Sequence, residues 1–207
     1  MKVFVPNYYK NFSCIANKCK HSCCIGWEID IDNESLEKYK STGGSFGDKI
    51  RSVISVDEDG DRIFIPCANR CPFLLRNGLC EMYIELGHDA LCRTCRQFPR
   101  LRHDYGDFVE LGLELSCPEA ARLILSALPG PMVTEEVPGG EKAEYDEEAM
   151  AVLKSTREIV LQILADPGYA VPPSLALALL YGYQAQGVLD GEEIRPFDVD
   201  SALSVIH

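Results

Sequence analysis

Several things are missing from this chain, and each absence excludes something. No cysteine follows Cys117, and residues 128–207 hold 4 Lys/Arg against 14 Asp/Glu. Phosphate contacts need clustered cations, so that half is unsuited to nucleic acid or an anionic membrane. No apolar run reaches the ~20 residues that cross a bilayer; LALALLYGY, at 175–183, is about half of that. The opening MKVFVPNYYK has an apolar run of only three residues before Pro6, far short of a signal-peptide core. Internal repeats, low-complexity tracts, phosphate-binding loops and Ser/His/Asp arrangements are lacking too. The expectation is a cytoplasmic protein with reduced thiols and with no nucleic-acid or membrane partner.

What is present is sulfur. All ten cysteines of the 207 residues (14, 19, 23, 24, 67, 71, 80, 92, 95 and 117) fall in the first 117 positions. Short spacings such as Cys19-x3-Cys23, Cys67-x3-Cys71 and Cys92-x2-Cys95 let one loop deliver two thiolates to a metal. Four thiolates satisfy zinc in a closed tetrahedral site, and four also hold an iron–sulfur cluster. Spacing alone leaves both open, beside the plainer possibility of inert buried cysteines. Adjacent Cys23 and Cys24 must diverge, since neighbouring side chains point apart in helix and strand. They are expected to serve different irons, different sites, or one site and the core.

The same division organises the chain. Net charge is −12, and most of it sits after residue 127. The expected fold is α+β: an irregular cysteine-rich metal-binding domain at 1–127 with short helices and a hairpin, a linker at 128–143, and a helical segment at 144–207. Residues 1–30 read as irregular or extended. Asp32-Asn33 caps a short helix ended by Gly43-Gly44, and residues 48–54 form another. DEDGDRIFIP reads as a turn into a strand stopped by Pro66; its glycine stands fourth, where a calcium loop needs it sixth. Residues 80–98 have helical spacing broken at Leu86-Gly87. Residues 100–115 form a hairpin about Tyr105-Gly106-Asp107, and Pro118-Glu119 opens a helix. Further on, 145–164 is an amphipathic helix, and 174–186, apolar nearly all round, reads as buried. Trp27 and the Tyr8-Tyr9 pair are expected to pack over the cysteine loop, while His21 reads as a surface residue.

Four ordered motifs, CIANKCKHSCCIGW, CPFLLRNGLC, ALCRTCRQFPR and ELSCPEAARLIL, resemble the bacterial flagellin lysine-N-methylase family. That family belongs to a broader group of cysteine-rich zinc- or iron-chelating proteins. The resemblance covers about residues 1–127. It implies methylation of lysine side chains on flagellin, with S-adenosylmethionine as methyl donor and an iron–sulfur cluster, of the 4Fe-4S type, held by cysteines. The matching positions are Cys14, Cys19, Cys23, Cys24, Cys71, Cys80, Cys95 and Cys117. Cys67 and Cys92 fall outside the shared pattern, although Cys92 and Cys95 make an attractive pair by spacing. Family members are longer, so 144–207 is expected to be incomplete.

The chain lacks the glycine-rich loop of a Rossmann methyltransferase, and after Cys19-x3-Cys23 a radical S-adenosylmethionine motif would need cysteine where Gly26 stands. Arginines flank the third motif: Arg93, Arg96, Arg100 and Arg102. A guanidinium there offsets thiolate charge or grips a carboxylate, and Arg96 and Arg100 are the candidate contacts to S-adenosylmethionine. The catalytic base is unassigned. Two rival functions come from other classes: a non-enzymatic zinc- or iron-binding module, structural or metal-trafficking, and an iron–sulfur redox protein.

Overall fold

The first residues, read above as irregular or extended, form strand β1 (Lys2–Val5). Its partners come from far along the chain, so no local pattern announces it. A computed structural model of the protein describes all residues except 129, 131, 143, 194, 195 and 207, with backbone alone at 203–206. Asp32 caps α1 (Asn33–Ser41), its carboxylate accepting from the Ser35 N–H at 3.0 Å and the Ser35 hydroxyl at 2.8 Å. Those bonds satisfy donors that every helix start leaves unpaired. α2 (Gly44–Ser52) leads into β2 (Ile54–Val56), which pairs antiparallel with β3 (Arg62–Phe64). Between them the acidic run is a turn: Asp57 accepts from the N–H groups of Asp59 and Asp61.

The 80–98 segment divides as its glycine suggests. α3 (Glu81–Leu86) stops at Gly87, whose φ of 82° is left-handed, and α4 (Arg93–Gln97) follows. β4 (Arg100–Asp104) and β5 (Phe108–Leu113) make the expected hairpin, and α5 (Pro118–Ser126) starts with proline at its first turn. β6 (Val133–Glu136) lies within the stretch read as a linker. Most of its side chains are exposed, and it is held by backbone pairing with β1, so periodicity carried no sign of it. Residues 129, 131 and 143 of that stretch lie outside the described ones. The four-stranded sheet runs β4-β5-β1-β6, with β1 parallel to β5 and antiparallel to β6.

Two compact units result, Met1–Lys142 and Ala143–His207. The first has its main core where α1, α2, β3 and α3 meet: Tyr39, Ile50, Phe64, Phe73, Met82 and Cys92 are buried together. Phe73 meets Phe64 edge-on, with ring centres 5.0 Å apart. The second unit comprises α6 (Glu147–Ala165), capped by Asp146, α7 (Val171–Leu189) and α8 (Val199–Ile206). The expectation of a fully buried α7 does not hold. Among its described residues only Ser174 and Leu177 are buried, while Leu179 is 75% and Tyr183 82% exposed. One face of α7 packs on helical neighbours, and three helices leave the opposite face uncovered. Among the described residues, no helix is long and apolar enough to cross a membrane.

Candidate metal centre

Four stretches well separated in sequence deliver thiols to one cavity of the first unit. Cys24, Cys71, Cys80, Cys92 and Cys95 line it together with Tyr39, Phe64, Phe73, Met82 and Leu91. Backbone bonding explains the convergence. Ala68 and Asn69, with φ of 50° and 62°, reverse the chain between Cys67 and Cys71. The Cys71 N–H then donates to the Cys24 carbonyl at 2.8 Å, and the Gly26 N–H to Asn69 at 3.0 Å, locking two loops edge to edge. Cys80 stands at the N-cap of α3 and Cys92 at the N-cap of α4.

Those helix starts supply donors to sulfur. N–H groups bond to three of the thiols: Phe73 to Cys71, Met82 and Tyr83 to Cys80, and Cys95 to Cys92. Such bonds favour a thiolate. Bonds from the Cys23 and Cys71 thiols, then Ser22 and the Arg70 charge, hold the Cys24 thiol well below its ordinary range. The Cys95 thiol does the same for Cys92. Giving up their S–H pushes Cys23, Cys71 and Cys95 up, and burial pushes Cys80 up. In each of these S–H···S contacts the accepting sulfur is held down and the donating one held up.

Among the described residues, no three His, Cys, Asp or Glu side chains already stand in a metal-coordinating arrangement. The donor set nevertheless fits a soft cation or an iron–sulfur cluster. It is all sulfur, several N–H groups already point at it, and a bound cation favours the thiolate form of each sulfur that meets it. The space is small: the centre of an occupant can move through about 20 Å³. That is nearer the size of one metal ion than of a four-iron cluster, and either occupant requires the thiols to shift into a coordinating arrangement.

The other cysteines lie elsewhere. Cys23 is exposed and does not line the cavity; its thiol donates to the Cys24 sulfur, which with burial pushes it up, and Cys14 and Cys117 lie near enough for their charges to add to the rise. The adjacent pair therefore stays in contact through sulfur instead of diverging, although only Cys24 reaches the cavity wall. Cys117 caps α5 and packs beside Phe12, Leu113 and Ala120, with Tyr8 and Tyr9 against the same cluster. Cys19 is half-buried and Cys67 exposed, and neither is part of the cavity wall. Cys92, left outside the family pattern, is a wall residue only 1% exposed; its two-residue spacing from Cys95 was the available signal. Tyr39 carried no such signal. Its hydroxyl donates to the Ala90 carbonyl at 2.9 Å, and burial pushes its phenol up.

Neither candidate arginine lines the cavity. Arg100 stacks its guanidinium 4.9 Å from the centre of the Phe12 ring and donates to the Phe12 carbonyl at 3.4 Å, tying the segment before Cys14 to β4. Arg96 acts on Glu34, whose carboxyl is lowered first by Lys38 and secondarily by Arg96. Trp27, 42% exposed, rests 5.6 Å from Phe98, and its indole N–H donates to the Cys23 carbonyl. His21 is exposed.

Over 127 aligned residues the chain is 33% identical to the lysine-N-methylases of Salmonella choleraesuis strain SC-B67 and Salmonella typhimurium strain LT2, and to the flagellar biosynthetic protein FliU of Salmonella muenchen. The alignment takes in 58% of this chain, 32% of either methylase and 75% of FliU. The chain thus spans about a third of the length of the methylases it matches. No protein-family model matches it, and no solved structure does.

Proposed function

The chain belongs to the lysine-N-methylase/FliU family, and on that premise we propose that it serves S-adenosylmethionine-dependent methylation of lysine side chains on flagellin, around a thiolate-held iron–sulfur cluster. One observation supports the centre above all others: five cysteines from four separate stretches line a single cavity inside a packed core. Cys24, Cys71, Cys80 and the Cys92–Cys95 pair would hold the cluster. If only three of these five thiolates bound, such a group would leave one iron for the amino and carboxylate groups of S-adenosylmethionine.

The chain's own residues do the rest. N–H groups at the starts of α3 and α4 orient the sulfurs and favour their ionised form. Tyr39, Phe73 and Met82, each 1–2% exposed, keep water from the wall. Arg100 holds the Cys14 segment in place through Phe12. Arg96 and Arg100 lie within the third cysteine motif, as does Arg93, and they would offset the negative charge of bound thiolates.

Anaerobic purification with iron, sulfide and zinc quantified tests the centre. Matched iron and sulfide with absorption near ~400 nm support the cluster. Incubation with reductant, S-adenosylmethionine and flagellin then tests transfer. An intact cluster without added methyl mass on lysine removes the activity while leaving the centre standing.

A second function has one observation in its favour. A cavity that leaves an occupant's centre about 20 Å³ is nearer the size of one ion than of a cluster, so a non-enzymatic module holding one structural zinc is the competing assignment. Colourless protein with stoichiometric zinc, purified anaerobically from iron-replete cells, decides for it.

A further inference from the structure

The second unit carries an apolar ridge that nothing in it covers. From Val171 to Leu189, α7 contains no charged residue. Its covered side is set by Ser174 and Leu177, both buried, and by Tyr181, which meets Phe197 edge-on at 5.1 Å just before α8. On the opposite side, Val171, Leu175, Leu179 and Tyr183 follow one another at four-residue steps, exposed by 71%, 51%, 75% and 82%. Side chains four apart form one of the two ridges by which helices pack into each other's grooves. A helix apolar on both sides is normally covered on both.

Charge says what covers it. Residues 128–207 hold 14 acids and 4 bases, so a second copy of the chain would bring like charge against like. The ridge itself ends in carboxylates. Asp190 lies seven residues after Tyr183, hence on the same side of the helix, where it accepts from Gln186 at 3.0 Å. The Glu192 carboxylate folds back over Gly187, 2.7 Å from where a β-carbon would stand, while its N–H donates to the Gly187 carbonyl at 2.8 Å. The helix's own C-terminal dipole adds negative potential at that end.

We propose that this face of α7 is the docking site for a basic amphipathic helix of a partner protein, whose apolar stripe lies along Val171, Leu175, Leu179 and Tyr183 and whose Lys or Arg meets Asp190 and Glu192. Apolar contact supplies the affinity, and the terminal carboxylates fix direction along the ridge. The ridge and the thiol cavity belong to different units, and the proposal holds whether or not the chain takes part in methyl transfer.

The test uses the full chain and two labelled synthetic peptides, an amphipathic helix of leucine and lysine and its leucine–glutamate counterpart, with binding read by fluorescence anisotropy at two salt concentrations. The lysine peptide binds in preference, and more weakly at high salt. Leu179→Glu and, separately, Leu175→Ser lower its affinity at least tenfold with an unchanged melting curve, as suits exposed positions. The paired reversal D190K/E192K turns the preference toward the glutamate peptide, an inversion that mere loss of folding does not produce. Equal binding of both peptides by the parent chain overturns the proposal, as does full binding by Leu179→Glu. A dimer in sedimentation that Leu179→Glu dissociates also overturns it, because a second copy is then the occupant.

Discussion

The two units of this protein spend their apolar residues in opposite ways. In Met1–Lys142, short helices and strands surround a core that includes Tyr39, Ile50, Phe64, Phe73 and Met82, with cysteine sulfurs packed into its edge. In Ala143–His207, three helices bury only Ser174 and Leu177 among the described residues, and large side chains such as Leu179 face outward. A small domain that is short of core compensates with a metal or with a partner. The first unit has the thiols for a metal. The second has none, and its uncovered ridge points to a partner.

Metal removal should separate the two units most sharply. Structural zinc supplies on the order of 10 kcal/mol of apparent binding free energy at neutral pH, so chelation should unfold the first unit. Trp27 is the only tryptophan and sits in that unit, so its fluorescence reports there alone, while α6 and α7 keep part of the helical circular dichroism. Simultaneous loss of both signals would show that the units do not differ in this respect. Next in size is a pair of cysteine changes. Cys92→Ser, in the wall, should cost bound metal at least tenfold in affinity, whereas Cys67→Ser, exposed and outside the wall, should leave metal content unchanged.

Core truncation sharpens the contrast further. Phe73→Ala removes a ring that is 1% exposed and should cost about 3–5 kcal/mol in denaturant unfolding. Leu179→Ala, on the open ridge, should stay within about 0.5 kcal/mol. An effect smaller than that of Phe73→Ala belongs to Asp32, which caps α1 and also accepts from the Arg93 N–H at 2.7 Å, joining the starts of α1 and α4. Partial burial opposes its ionisation, but bonds from Arg93 and Ser35 win and hold its carboxyl down to about 2. A carboxyl lowered on folding stabilises the protein above its unfolded value near 4 and loses that contribution as pH falls through about 2. Asp32→Asn should therefore cost about 1 kcal/mol at pH 7 and nothing near pH 2, read as the gap between the two acid-unfolding curves.

Local features were legible in the sequence where their cause was local. Asp32 announced α1, Gly87 ended α3, Tyr105-Gly106-Asp107 turned the hairpin and Pro118 opened α5, because caps and turns depend on residues a few positions away. β1 and β6 were not legible. Their backbones pair across more than a hundred positions, Lys2 opposite Glu136, and β6, mostly exposed, carries no hydrophobic alternation. α7 was misjudged for a related reason: apolar composition states what a helix needs buried, not whether the fold supplies a cover.

By itself the sequence determined that this is a sulfur-dense α+β protein with an acidic helical second half, since composition, spacing and capping are properties of short stretches. Only the tertiary structure decided which sulfurs meet. It put Cys24 but not Cys23 in the wall, added Cys92, and left Cys14, Cys19, Cys67 and Cys117 elsewhere. Convergence depends on where the backbones of distant loops hydrogen-bond to one another, as at Cys71 and Cys24. Spacing along the chain does not encode those long-range bonds.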